Sequence, residues 1–175
     1  DTATVTGTNA KMFLRTMTPA VTLSETDTDA TREGTFRVDA VPVTPVIANH
    51  VVTLFEAADA TQPSMTPAEV LSPSGMTGIH VQDATDPAVV LFATAPDAAL
   101  TSAAFSFVPT SSSTRVVIVG VAASTGFDVA ITDGSGGAKD VSLTPGTTFT
   151  SAANGSITFT TAAPPSAVST WTEYD

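Results

Sequence analysis

The sequence predicts an all-β fold, an antiparallel β-sandwich of about a dozen strands with no long helix. Three observations carry that expectation. From Arg115 to Ile131, Val116, Ile118 and then Phe127, Val129 and Ile131 recur at every second residue, the period that puts side chains on one face of a strand. Glycine, proline, asparagine and aspartate punctuate the chain at intervals of about ten residues, as turns do between short strands. No segment keeps a helical period over about ten residues or more.

Taken in order, Thr2–Thr6 and Lys11–Thr16 read as strands around a Gly7-Thr-Asn-Ala10 turn, with Met12 and Leu14 on one face and Phe13 on the other. Thr18-Pro19 breaks the pattern. Val21 and Leu23 mark a short strand, and the polar, acidic stretch 24–34 reads as an exposed loop. Thr35–Val41 alternates, with Phe36, Val38 and Ala40 expected inward and Arg37 and Asp39 outward, until Pro42 and Pro45 stop it, because proline donates nothing to a ladder. His50–Ala57 is a second strong apolar run. Thr66-Pro-Ala-Glu69 resembles a capped helical turn, but it is too short to persist, so a strand through Val70 and Leu71 is expected. Gly78–Gln82 and Ala88–Thr94 form a hairpin over Asp83–Pro87, and Ala103–Pro109 aligns Phe105 with Phe107. The segments 139–143, 147–150 and 156–161 read as a closing meander, with Asn154-Gly155 as its hairpin dipeptide. Residues 1–161 are therefore expected to form the sandwich, as one body or as two tightly packed β units parting near 95–101. Residues 162–175, with Pro164-Pro165, Trp171 and Tyr174, read as a linker-like tail.

Composition removes several functional classes. Six basic against seventeen acidic residues give a formal charge of −11, which repels nucleic acid and anionic membranes. Without cysteine the chain has no disulfide framework, thiolate nucleophile or thiolate metal site. No apolar run approaches the length of a membrane helix, roughly 20 residues. The chain starts at Asp1 without a leader, so it is expected to be a mature exported product or a piece of something longer, and export to the bacterial exterior is the expectation.

Residues that could carry chemistry are few. His50 and His80 stand in strand contexts with no motif neighbour, and a strand-edge or half-buried imidazole satisfied by backbone is the expectation for each. No serine lies in a G-x-S-x-G elbow. Asp27, Asp29, Thr31 and Glu33 put oxygen ligands at positions one, three, five and seven of one loop, a spacing calcium uses, but Arg32 sits where a glycine would make the sharp turn and brings positive charge. A solvated loop accounts for them better, and no other cofactor is suggested. Asp83 and Asp86 are turn formers. Asn154-Gly-Ser156 also matches the N-glycosylation acceptor, although the hairpin reading of the same residues is preferred. Trp171 and Tyr174 could stack on a sugar ring, or they could anchor the tail or an interface.

Two resemblances follow from these residues. The Val119-Gly-Val121 to Phe127-Asp-Val129 stretch resembles the corner of fibronectin-like and immunoglobulin-like sandwiches, with Phe127 in place of a corner tyrosine and its hydroxyl missing. Over residues 11 to 160, a series is similar to the C-terminal β-sandwich region of heparinase II/III-type polysaccharide lyases and related secreted bacterial proteins. Its members are Lys11–Pro19, Phe36-Arg-Val-Asp-Ala-Val-Pro42, Asn49–Asp59, Gly78-Ile-His-Val81 and Val89-Val-Leu-Phe92, with the Val-Gly-Val and Phe-Asp-Val runs fitting the closing hairpin. Phe36 stands where that family often has tryptophan. In the family the elimination chemistry sits on tyrosine, histidine and asparagine of a helical barrel and the cleft it shares with the sandwich. The helical barrel has no counterpart in this sequence, and the one tyrosine lies in the tail. The resemblance thus implies an accessory sandwich with no active site of its own. The expected function is a non-catalytic accessory or scaffold domain of a secreted carbohydrate-active or cell-surface protein, whose partners are other domains, copies of itself or a polysaccharide. The alternative is a structural subunit assembling into a cell-surface filament or sheath through open sheet edges or donated terminal strands. A stand-alone lyase ranks below both.

Overall fold

A computed structural model describes residues 2–27, 36–44, 50–95 and 97–162. Among them the chain is all-β, its one helical segment a single 3₁₀ turn at Ser135–Gly137. It divides into two compact units, residues 1–66 and 67–175, so the expected parting near 95–101 falls inside the second.

The first unit holds a three-stranded antiparallel sheet of β1 (Thr2–Thr6), β2 (Ala10–Thr18) and β5 (Val52–Asp59), with β2 central. A separate ribbon pairs β3 (Val21–Asp27) with β4 (Phe36–Pro42). The turn after β1 closes with the Gly7 amide donating to the Ala10 carbonyl at 2.8 Å, as the turn residues predicted. The expectation of a loop from residue 24 is corrected: Ser24 to Asp27 continue β3, in register with Asp39 to Phe36. Polar residues can form such a strand, since a backbone ladder needs no apolar side chains. The in-and-out pattern expected for β4 is also not realised over its second half, because Val38 and Asp39 are both half-buried and Ala40 and Val41 both exposed.

The second unit is a two-layer sandwich. One sheet has the order β14-β10-β8-β7-β6, from β6 (Ala68–Leu71), β7 (Met76–Val81), β8 (Ala88–Ala93), β10 (Arg115–Val119) and β14 (Ser156–Thr160). The other has the order β13-β11-β12-β9, from β9 (Ala103–Phe107), β11 (Gly126–Asp133), β12 (Lys139–Pro145) and β13 (Phe149–Thr150). The facing rows are readable from register. Val89, Val116 and Phe159 align across the first sheet, as do Leu91, Ile118 and Ile157; Phe105 aligns with Val141 and Ile131 across the second, and Phe127 with Phe149. These residues form one continuous core, in which each fully buried aliphatic or aromatic side chain contributes ~1.5–3 kcal/mol by leaving water. At Gly78 a Cβ would stand 1.9 Å from the Val90 carbonyl oxygen, so only glycine lets β7 lie against β8 there.

Three expectations about pairing are corrected. Arg115–Val119 and Phe127–Ile131 do not pair with each other; they lie in opposite sheets, and the chain between them changes layer. The closing segments are not a meander, since β13 pairs with β11 and β14 with β10. The sandwich is also not wholly antiparallel. β10 runs parallel to β8, because β9 departs to the other sheet between them and the chain returns in the same direction. Alternation reveals which face is buried, not which neighbour supplies the ladder, and that is why these three readings failed. The β7–β8 hairpin, the strand through Val70 and Leu71 and the inward pair Phe105 and Phe107 are as expected.

Candidate functional site

Two arrangements stand out, one in each unit. In the second unit, Pro73 and Gly75 turn the chain so that Leu71 opposes Gly78 and, two residues further out, Glu69 opposes His80. That register puts a carboxylate and an imidazole on the same inward face. His80 is fully buried, its Nδ1 lies 3.0 Å from Glu69 Oε1, and its ring meets Phe107 of the other sheet edge-on at 5.0 Å. Glu69 belongs to an edge strand, and its side chain keeps 44% of its surface in solvent.

A carboxylate only accepts, so in this contact Nδ1 is the donor. This is the carboxylate-oriented imidazole that general bases use. Here, however, Nε2 is buried without a hydrogen-bond partner, and a base enclosed in this way is out of reach of a substrate held at the surface. The backbone-satisfied imidazole expected at His80 is therefore corrected to a carboxylate-paired one. His50 is corrected too: it is exposed and precedes β5 rather than lying in a strand.

The second arrangement is a surface. One face of the β1-β2-β5 sheet is covered by its own chain. Glu56 accepts from the Thr66 amide and hydroxyl and from Gln62 Nε2, while Lys11 Nζ donates to the Gln62 carbonyl; these bonds draw residues 62–66 across the face on which Phe13 keeps only 3% of its surface exposed. The opposite face carries cross-strand rows of Val5, Met12 and Ala57 and of Ala3, Leu14 and Phe55. Much of it is in water: Val5 is 46%, Met12 43% and Phe55 61% exposed, while Ala3 and Leu14 are half-buried. No charged side chain occurs in either row. Both outer strands, β1 and β5, have a single neighbour among the described residues.

No protein-family model, no curated protein and no solved structure matches the chain. Function must therefore be argued from these two arrangements and from what surrounds them.

Of the other residues singled out by sequence, Asp27 ends β3, whereas Asp29 and Glu33 lie outside the described residues, as do Trp171 and Tyr174. Among the described residues no group of three or more histidines or carboxylates could hold a metal ion. Nor is any helix there long and apolar enough to cross a membrane. Asp83 is the turn former expected: one of its oxygens accepts from the Thr85 amide and hydroxyl and from the Asp86 amide, which holds its carboxyl below the usual value of 3.8. Asp86 pairs with Arg115 at 3.0 Å. Asp128 does for the β12–β13 connection what Asp83 does for the hairpin, accepting from Thr148 Oγ1 and from the Thr148 and Thr147 amides, and its carboxyl is lowered for the same reason.

Proposed function

We propose that the chain is a non-catalytic β-domain of a secreted or cell-surface protein, serving as an accessory or scaffold element that packs against another domain. The carrying observation is the pair of apolar cross-strand rows on which Val5, Met12 and Phe55 stay exposed, set on a sheet whose other face residues 62–66 cross. Soluble domains seldom leave contiguous apolar rows in water unless something docks on them. The buried position of His80 Nε2 supports the non-catalytic part, and the resemblance of residues 11–160 to the sandwich region of heparinase-type lyases supports the extracellular, carbohydrate-active setting.

The open β1 and β5 edges favour a second reading, a structural subunit that adds copies of itself edge to edge. Mass photometry of the chain across a concentration series separates the two. A monomer that binds a hydrophobic dye, with binding lost in Met12→Thr/Phe55→Thr, is the result expected of a docking domain. Growing polymers that the same double substitution leaves intact would favour the edge-to-edge subunit. Release of unsaturated ends from an anionic polysaccharide by the purified chain would overturn the non-catalytic reading.

A further inference from the structure

The Asn154-Gly155 dipeptide, expected to close a hairpin, instead forms a loop where the chain passes from β13 in one sheet to β14 in the other. The Gly155 amide donates to the Ala152 carbonyl at 2.9 Å, and the Ala152 amide donates to the Ser156 carbonyl at 2.8 Å. Gly155 has φ +73 and is buried, and a Cβ there would stand 2.8 Å from the Val121 carbonyl oxygen. Its own carbonyl accepts from the amides of both Gly120 and Val121, at 2.9 and 3.0 Å. Asn154 is exposed, and its Oδ1 accepts from Ser156 Oγ at 2.7 Å and from the Ser156 amide at 3.1 Å.

These are the atoms of a self-modification. When the amide nitrogen of an Asn-Gly pair loses its proton and attacks the asparagine Cγ, the new N–Cγ bond closes a five-membered succinimide and ammonia leaves. Water then opens the ring at either carbonyl, giving aspartate or isoaspartate. Glycine makes this fast in a flexible chain because no side chain hinders the approach. The two donors on Asn154 Oδ1 polarise Cγ and would stabilise the oxyanion of the attack, as such donors do elsewhere. The nucleophile is what the fold withholds. To reach Cγ, the Asn154–Gly155 peptide plane must rotate, and that plane is tied at its N–H by Ala152 and, one bond further on, by the two amides that hold the Gly155 carbonyl.

We infer that Asn154 is a modification site whose conversion to isoaspartate is gated by the opening of this loop, with water as the only co-reactant. The folded chain reacts only through the fraction of molecules in which the loop has opened, so its rate is the open-chain rate multiplied by a small opening constant. The change is also one-way. Isoaspartate places an extra methylene in the main chain, so the Gly155 N–H and C=O can no longer meet Ala152 and Gly120/Val121 together, and β14 loses its alignment.

The test is to incubate three samples at mildly alkaline pH: the folded chain, the chain in urea and a synthetic peptide spanning residues 151–159. Products at Asn154 are resolved by peptide mapping, with Asn154→Gln as the blank. The folded chain is expected to react at least ~10-fold more slowly than the peptide, and the chain in urea to match the peptide. A folded chain that keeps pace with the peptide would overturn the gate. Ser151→Ala sharpens the test, because the Ser151 hydroxyl donates to the Ala122 carbonyl and accepts from the Thr125 amide, anchoring the loop from outside the reacting pair. The variant should react faster than wild type, reaching the urea rate if it unfolds. Faster amide exchange at Gly155 without a faster reaction would equally overturn the proposal.

Discussion

Both units are made of short, mostly antiparallel strands with alternating apolar residues, yet they use those residues differently. In residues 67–175 the alternation from two sheets meets in a shared interior, with Phe127, Leu91, Ile118 and Leu143 fully enclosed. In residues 1–66 the buried apolar residues among those described are Phe13 and Val21, while Val5, Met12, Val41, Val43, Val51 and Phe55 stay in water. Similar strand patterns therefore give a closed core in one case and an unfinished surface in the other. The difference lies in whether a second layer is encoded nearby. A strand pattern states that a face is apolar; it does not guarantee that the same unit supplies the cover.

The largest effects should come from cutting each interior at its centre. Phe127→Ala should destabilise the second unit by ~3–5 kcal/mol, the range for a fully buried aromatic. Phe13→Ala should remove amide-exchange protection from β1, β2 and β5 while leaving β7, β8 and β10 protected, because so little else is buried around it. Simultaneous loss of protection in both units from either substitution would break the contrast between them.

An intermediate effect is expected at the polar inclusion in the closed core. Glu69→Ala should cost ~1–3 kcal/mol by stranding the buried His80 Nδ1–H. In a His80→Leu background the same change should cost almost nothing, and His80→Leu alone should lie within about 1 kcal/mol of wild type, since an apolar side chain also removes the orphaned Nε2. Chemical denaturation of all four proteins closes this double-mutant cycle; independent, additive costs would show that the pair is not coupled.

The smallest effect is acid sensitivity. The carboxyls of Asp59, Asp83 and Asp128 are lowered from 3.8, chiefly by hydrogen bonds from Thr61, Thr85 and Thr148 respectively. A lowered folded value means that the ionised form is preferred in the folded state. Its contribution is complete above about 3.9 and fades as pH falls through the lower folded value. Thermal melts of wild type and Asp128→Asn should therefore differ most near neutrality and converge in acid. A gap that widens on acidification would reverse the sign.

Much of the second unit was legible in its residues. The alternation around Val116 and Ile118, the pairing of Phe105 with Phe107 and the Asp83 turn all follow from period and turn chemistry. The layer change between Val121 and Phe127 was not legible, because a Gly/Ser/Thr connection suits a hairpin and a sheet-crossing corner equally. The His80–Glu69 contact has a signal in the sequence: Pro73-Ser-Gly75 between Leu71 and Met76 fixes the register that sets Glu69 opposite His80. In the first unit, strand period alone sets Met12 and Phe13 on opposite faces. Which of them is covered depends on where residues 62–66 settle, and that is decided by the Glu56 carboxylate rather than by hydrophobicity.

The parallel alignment of β8 with β10 has a consequence for how the sandwich is made. A hairpin can form as soon as its second half leaves the ribosome, but this alignment must wait for β9 to be laid on the opposite layer and for the chain to come back. The next strand along, β14, is the last among the described residues, ending at Thr160. Until the strands of the opposite layer have emerged, the nascent β7–β8 ribbon shows Val89 and Leu91 to its surroundings, so a ribosome stalled shortly before Ala103 emerges should display a chaperone-binding segment that the finished protein conceals.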